Sequence, residues 1–182
     1  MNDLRILVLI FLSGLFLASC NSDYTIRPRG YFRVDLPKHE YRLFDKPGYP
    51  YSFEYPVYAN IIQDTSFFED KPENPYWVNI DFPSLNGKLY ISYKDAQKNE
   101  FTKLVDDAFR LTYKHSTKAT GIKDSLMKTP NGITGIFFKV GGNAATAKQF
   151  FVTDTVNHFL RGALYFDATP NADSLSVVNN FL

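Results

Sequence analysis

Only one cysteine occurs in the 182 residues, Cys20, and it closes the one long apolar stretch. With Cys20 acylated, the remainder has no thiol and forms no disulfide, thiolate metal site or cysteine nucleophile. Its stability has to come from a packed core. Histidine is scarce too. His39, His115 and His158 each stand alone, so no zinc-type ligand set is visible. His115 falls near the end of a helical pattern, where a partial positive charge is favourable. An excess of one charge is also missing: 20 Lys and Arg stand against 19 Asp and Glu. A nucleic-acid binder would carry a strong basic face, and nucleic acid is not an expected partner. Gly141-Gly142-Asn143 lacks the Gly-Lys-Ser/Thr ending of a phosphate loop. Asp64, Glu69, Asp70 and Glu73 lack the ligand ladder and glycine bend of a calcium loop. No Gly-x-Ser-x-Gly elbow presents a nucleophile. There is no internal repeat or interdomain linker.

The first thing present is an export segment. Ile6 to Leu12 is unbroken apolar sequence, and Leu15 to Ala18 extends it. This core falls short of the roughly 20 residues a membrane span needs. A charged start, a short apolar core and small residues at a cut site form a secretory signal. Arg5 is the only basic residue of the start, and Asp3 opposes it. Leu17-Ala18-Ser19-Cys20 is the pattern of a bacterial lipoprotein signal. It predicts cleavage before Cys20 and fatty acyl groups, palmitate among them, on its sulfur. The alternatives are an ordinary signal peptide with an incidental cysteine, or an N-terminal membrane anchor. No cofactor is expected beyond that covalent lipid. The predicted organisation is a signal peptide over 1–19, a membrane-proximal linker over 20–30 and one globular domain over 31–182. Fully extended, the linker spans roughly 30 Å. Asn21 follows the cysteine with no acidic run, which predicts an outer-membrane lipoprotein facing the periplasm. Arg27, Arg29 and Arg33 read as a solvated linker; contact with anionic head groups is the alternative.

The mature chain, with 12 Tyr and 17 Phe in the whole sequence, has the aromatics for a core and favours strands. Tyr31 to Leu36 alternates and reads as a strand. Tyr51 to Tyr55, set between prolines, reads as an edge strand, with Val57 to Ile62 continuing it after a bend. Ser66 to Pro75 is a loop. Tyr76 to Phe82 and Lys88 to Tyr93 alternate around Asn86-Gly87 and predict a hairpin. From Asp95 to about Lys118 the period changes, and Phe101, Leu104, Val105, Ala108, Leu111 and Thr112 mark one face of a helix. Ile122 to Lys128, Ile133 to Val140, Ala147 to Thr153 and His158 to Phe166 return to strands. A last helix starts near Asn171 or Asp173. Strands, one helix, strands and a terminal helix predict an α+β fold, an antiparallel β-sheet packed by a long central helix and a C-terminal helix. The sheet-and-helix domain of the PsbP and Mog1 type is a rough analogy.

Two polar features sit in the last strands. Thr153-Asp154-Thr155-Val156-Asn157-His158 holds an acid and a histidine that hydrolysis could use, and equally reads as a turn. Arg161-Gly162 interrupts an apolar strand. The arginine either faces solvent or, flanked by Phe159 and Tyr165, binds a partner, since Arg and aromatics dominate interface hot spots.

Arg27-Pro28-Arg29-Gly30-Tyr31-Phe32-Arg33, Tyr51-Ser52-Phe53-Glu54-Tyr55-Pro56, Asn143-Ala144-Ala145 and His158-Phe159-Leu160-Arg161-Gly162-Ala163-Leu164-Tyr165-Phe166 together resemble the GldD-type gliding-motility lipoproteins of Bacteroidetes, over nearly the whole mature chain. The resemblance implies an envelope apparatus for moving cells over surfaces, tied to type 9 secretion, with other envelope proteins as partners. It carries over Cys20 alone as a functional position. The expected role is a non-enzymatic accessory or scaffold subunit. The alternatives are an envelope hydrolase acting through Asp154 and His158, and a periplasmic ligand binder with a pocket between sheet and helix. Members of that family tend to run past residue 182, so the last helix is expected to be incomplete.

Overall fold

The structure is a computed structural model, and it describes residues 35–65 and 72–182. The export segment, Cys20, the linker arginines, most of the Tyr31–Leu36 strand and residues Glu69 and Asp70 lie outside the described residues. Asp35 and Leu36 are irregular.

Among the described residues, nine strands and two α-helices follow in chain order: β1 (Tyr41–Phe44), β2 (Phe53–Pro56), β3 (Asn60–Gln63), β4 (Val78–Phe82), β5 (Gly87–Asp95), α1 (Phe101–Tyr113), β6 (Ala119–Lys128), β7 (Thr134–Gly142), β8 (Thr146–Thr153), β9 (His158–Phe166) and α2 (Ala172–Phe181). β1 and β2 form a two-stranded sheet. The other seven make one antiparallel sheet in the order β3-β4-β5-β9-β8-β7-β6. The fold is therefore α+β, with an antiparallel sheet, one long helix and one C-terminal helix, as the patterning predicts.

Local chemistry sets the elements. In β4, Val78, Ile80 and Phe82 are buried while Asn79 and Asp81 are half-buried, the period-two signature of a strand with one core face. The β4–β5 hairpin turns through a short 3-10 segment, Pro83–Leu85, and Asn86 at φ 47°. Asparagine tolerates that left-handed conformation better than most residues. α1 starts at Phe101, six residues later than the periodicity suggests. Asp95 takes the intervening residues into a turn, its Oδ1 accepting the Gln97 N–H and its carbonyl those of Lys98 and Asn99. After Tyr113 the helix tightens into a 3-10 turn, Lys114–Thr117.

Two expectations need correction. Val57 to Ile62 does not continue β2. Pro56 ends that strand, the Ala59 N–H turns back onto the Pro56 carbonyl, and β3 crosses to the other sheet to pair with β4. β1, absent from the sequence reading, pairs with β2 from Tyr41↔Pro56 to Phe44↔Phe53.

The large sheet is covered on both faces. α1 packs Leu104 and Ala108 onto Phe138, Phe151 and Phe159. On the opposite face, Phe44 of the hairpin and Val178 of α2 close over Val78, Ile80, Phe82, Ile91 and Leu164. Aromatic pairs tie the hairpin down. Phe44 stacks on Phe53 at 4.9 Å, and Tyr51 meets Tyr93 at 5.8 Å.

Candidate functional site

β9 carries the residues of interest because it lies at the centre of the sheet, between β5 and β8. Alternation sends Phe159, Arg161, Ala163 and Tyr165 toward the α1 side and Leu160, Gly162, Leu164 and Phe166 toward the hairpin. The three candidate interface residues thus share a face, but not a role. Phe159 is 3% exposed and stacks on Phe151 at 5.2 Å inside the α1 core. It is a core residue, unavailable to a partner. Alternation alone could not distinguish these positions, because the reach of α1 across β9 decides which are covered.

Arg161 is neither solvent-facing nor paired with an acid. Its Nη2 donates to Oε1 of Gln149, and no described carboxylate lies within ion-pair distance of it. Gln149 is 1% exposed. Its Oε1 is also 3.2 Å from the Thr112 hydroxyl of α1, which donates to the Ala108 carbonyl at 2.8 Å. Turning the Gln149 amide over would set its NH2 against the guanidinium, so this orientation is required. The consequence is that Gln149 Nε2 is buried with no protein acceptor. Asn79 Oδ1, on the same face of β4, is buried without a protein donor. Native buried polar groups are nearly all satisfied, and each exception asks for a reason.

Electrostatics follow the burial. Desolvation pulls the Arg161 pKa down, with Tyr165 working the other way; a guanidinium stays charged nonetheless. Burial pushes Tyr165 up, more than the Arg161 charge lowers it. Burial, then the Arg161 charge, hold His115 below its ordinary value.

Among the described residues, the α1 core includes none from β4 or β5. Asp81, Lys88, Tyr90, Tyr165 and Asp167 line a depression of about 620 Å³ there. Tyr90 and Tyr165 meet edge-to-face at 5.7 Å. This quarter of the sheet, half-buried at Asp81, Lys88, Tyr90 and Tyr165 and adjoining Arg161, is the candidate interaction surface. Gln149 and Tyr90 escaped the sequence reading. The available signal was Gln149 in phase with Phe151 and Thr153, a polar residue on the core face of its strand.

The Asp154–His158 pair is arranged otherwise. Asp154 Oδ1 accepts backbone N–H groups from Val156, Asn157 and His158 at 3.0, 2.8 and 2.8 Å. Desolvation opposes ionisation, but those three donors outweigh it and hold the carboxyl below its usual range. The His158 ring bonds through Nδ1 to the Tyr93 hydroxyl at 2.8 Å. Acid and histidine are joined through the backbone, which is a turn. Among the described residues no three potential ligands converge on a metal position, and no helix is long and apolar enough to cross a membrane.

A family model described as gliding motility lipoprotein GldD matches residues 21–182. None of the curated proteins compared matches the chain. Among solved structures, the solution structure of cyanobacterial PsbP (CyanoP) from Synechocystis sp. PCC 6803 is similar at 12% identity. That match covers 86% of this chain and 92% of that one, with a TM-score of 0.45.

Proposed function

The chain belongs to the gliding motility lipoprotein GldD family, and on that premise we propose that its folded domain is a non-enzymatic docking subunit of the gliding and type 9 secretion apparatus. Family membership makes it an envelope-associated, lipid-anchored protein. In this reading the lipid on Cys20 holds it at the outer membrane, facing the periplasm, where it binds other envelope proteins of the machinery. The observation that carries the reading is the Arg161 charge, which no described carboxylate pairs, beside the half-buried Tyr165. A buried charge without a counter-ion costs stability. An acidic side chain of a partner entering this quarter would pair with the Arg161 guanidinium. The commitment of Asp154 to three backbone donors supports the non-enzymatic reading over the hydrolase one.

Arg161→Met separates a docking arginine from a structural one. The expected outcome is an unchanged or raised melting temperature with lost gliding and lost in-cell crosslinking from this face. A folded variant that still glides removes the reading. Cys20→Ala is expected to give a folded protein that leaves the membrane fraction and does not support gliding. Full motility from that unanchored form would count against the anchored role.

A further inference from the structure

On the hairpin side, the β7–β8 part of the sheet lies beyond the reach of the described cover, with Phe137, Lys148, Phe150 and Val152 half-buried. Two cavities of about 220 and 450 Å³ run between it and the β2 edge. They share Glu54, Ile80, Leu89 and Phe150 as walls, so they are neighbouring stretches of one trough. Its size falls in the range of ligand pockets, about 300–1,000 Å³. Ile133, Val152, Leu160 and Leu164 make the rest of it largely apolar. Gly162 creates the room. A Cβ there would sit 2.3 Å from the Phe150 ring, so Phe150 rests on bare β9 backbone.

A row of lysines leads into the trough. Lys123 of β6 stands opposite Lys139 of β7, and Lys139 opposite Lys148 of β8. Lys148 in turn faces Leu164 across β9. Phe137 and Lys148 both line the smaller cavity, and Lys139 shares the face of Phe137 by alternation. Like charges directly opposite on neighbouring strands destabilise a sheet. Here they come three in succession, and none of the three is ion-paired to a described carboxylate. Burial and the neighbouring Lys139 both pull the Lys148 pKa down. The trough has two carboxylates. Glu54 is exposed on β2, and Asp154 lines only the larger cavity, away from Lys148 and held by backbone donors. An apolar channel that opens onto an unbalanced cationic row has the shape of a site for an anionic amphiphile.

We infer that the trough takes one acyl chain of an anionic phospholipid, with the phosphate resting on Lys123, Lys139 and Lys148. The anchor decides for lipid over an acidic peptide. From Cys20 to Asp35 the chain reaches at most about 50 Å, so the domain never leaves the bilayer's neighbourhood.

The test uses the processed, lipidated protein in nanodiscs that contain phosphatidylglycerol or phosphatidylcholine carrying a photoreactive acyl chain, with labelled peptides mapped by mass spectrometry. Phosphatidylglycerol is expected to label peptides of β8, β9 and the Ile133 turn well above phosphatidylcholine. Lys123→Glu with Lys139→Glu, both exposed, lowers that labelling by about fivefold or more per lysine. Ile133→Trp fills the trough and removes labelling without touching the charges. Equal labelling by the two lipids, or labelling unchanged in the lysine variant, overturns the inference. Labelling that survives Ile133→Trp places the lipid outside the trough and also overturns it. Loss of labelling on adding inorganic phosphate at constant ionic strength assigns the lysines to free phosphate. Crosslinks to an acidic protein in place of lipid assign the face to a peptide.

Discussion

The two faces of the large sheet are closed by different devices. One amphipathic helix, α1, lies over the β7–β8–β9 part of one face. The other face is closed over β4, β5 and β9 by a hairpin of two short strands and by α2. Among the described residues the covers sit diagonally, and each leaves the opposite quarter only half-buried. One quarter is polar and keeps an arginine without an acid. The other is apolar and fringed by lysines. A sheet sandwiched between full layers would have neither surface. Partial covers let one small domain hold a stable core and two chemically distinct faces.

The covers also differ in attachment. α1 is a continuous hydrogen-bonded element with Phe138, 1% exposed, against it. β1 and β2 pair only with each other. They are tied to the sheet by side chains, such as Phe44 packed in the core with Val78 and Ile80, while the Arg42 guanidinium donates to the Ala59 carbonyl at 2.9 Å just before β3. The largest expected effect is therefore on the helix side. Phe138→Ala should lower stability by about 3–5 kcal/mol, read by denaturant unfolding. Leu43→Ala on the hairpin, where the side chain is 61% exposed, should stay within about 0.5 kcal/mol. Similar losses at the two positions would break the contrast.

A middle-sized effect belongs to the β8–β9 turn. Asp154→Ala removes the acceptor for three backbone N–H groups and should cost about 1 kcal/mol, the scale of a lost side-chain cap. Its carboxyl is held below its unfolded value. Its contribution is therefore fully present above the ordinary carboxylate pKa and lost as pH falls through the lower folded one. Wild type and Asp154→Ala should converge in melting temperature toward acid. A gap that persists at low pH would rule out the carboxylate as its source. The smallest effect is kinetic. Amide hydrogens of β1 and β2 should exchange faster than those of β9, since a side-chain-tied hairpin opens locally below the global free energy. Equal protection would mean that both covers unfold with the sheet.

Much of this was legible in the chain. The β4–β5 hairpin follows from Asn86-Gly87 between alternating runs, and α1 from the change of period after Asp95, although the helix itself begins only at Phe101. The four strands of the second half begin and end within a few residues of their patterns. β1 escaped because four residues with three exposed side chains carry almost no periodic signal. The dual character of β9 escaped because Phe159 and Arg161 share a face, and only the position of α1 buries one and leaves the other unpaired.

Composition and local pattern determined the lone cysteine, the strand and helix types and the α+β class. These rest on interactions between residues a few positions apart. The partnering of β5 with β9, which joins Gly87 to Phe166 and Asp95 to His158 across the whole second half, belongs to the tertiary structure. So do the buried Arg161–Gln149–Thr112 contact and the alignment of three lysines across three strands. Each brings together residues distant in sequence, where register and coverage, not local propensity, settle what meets.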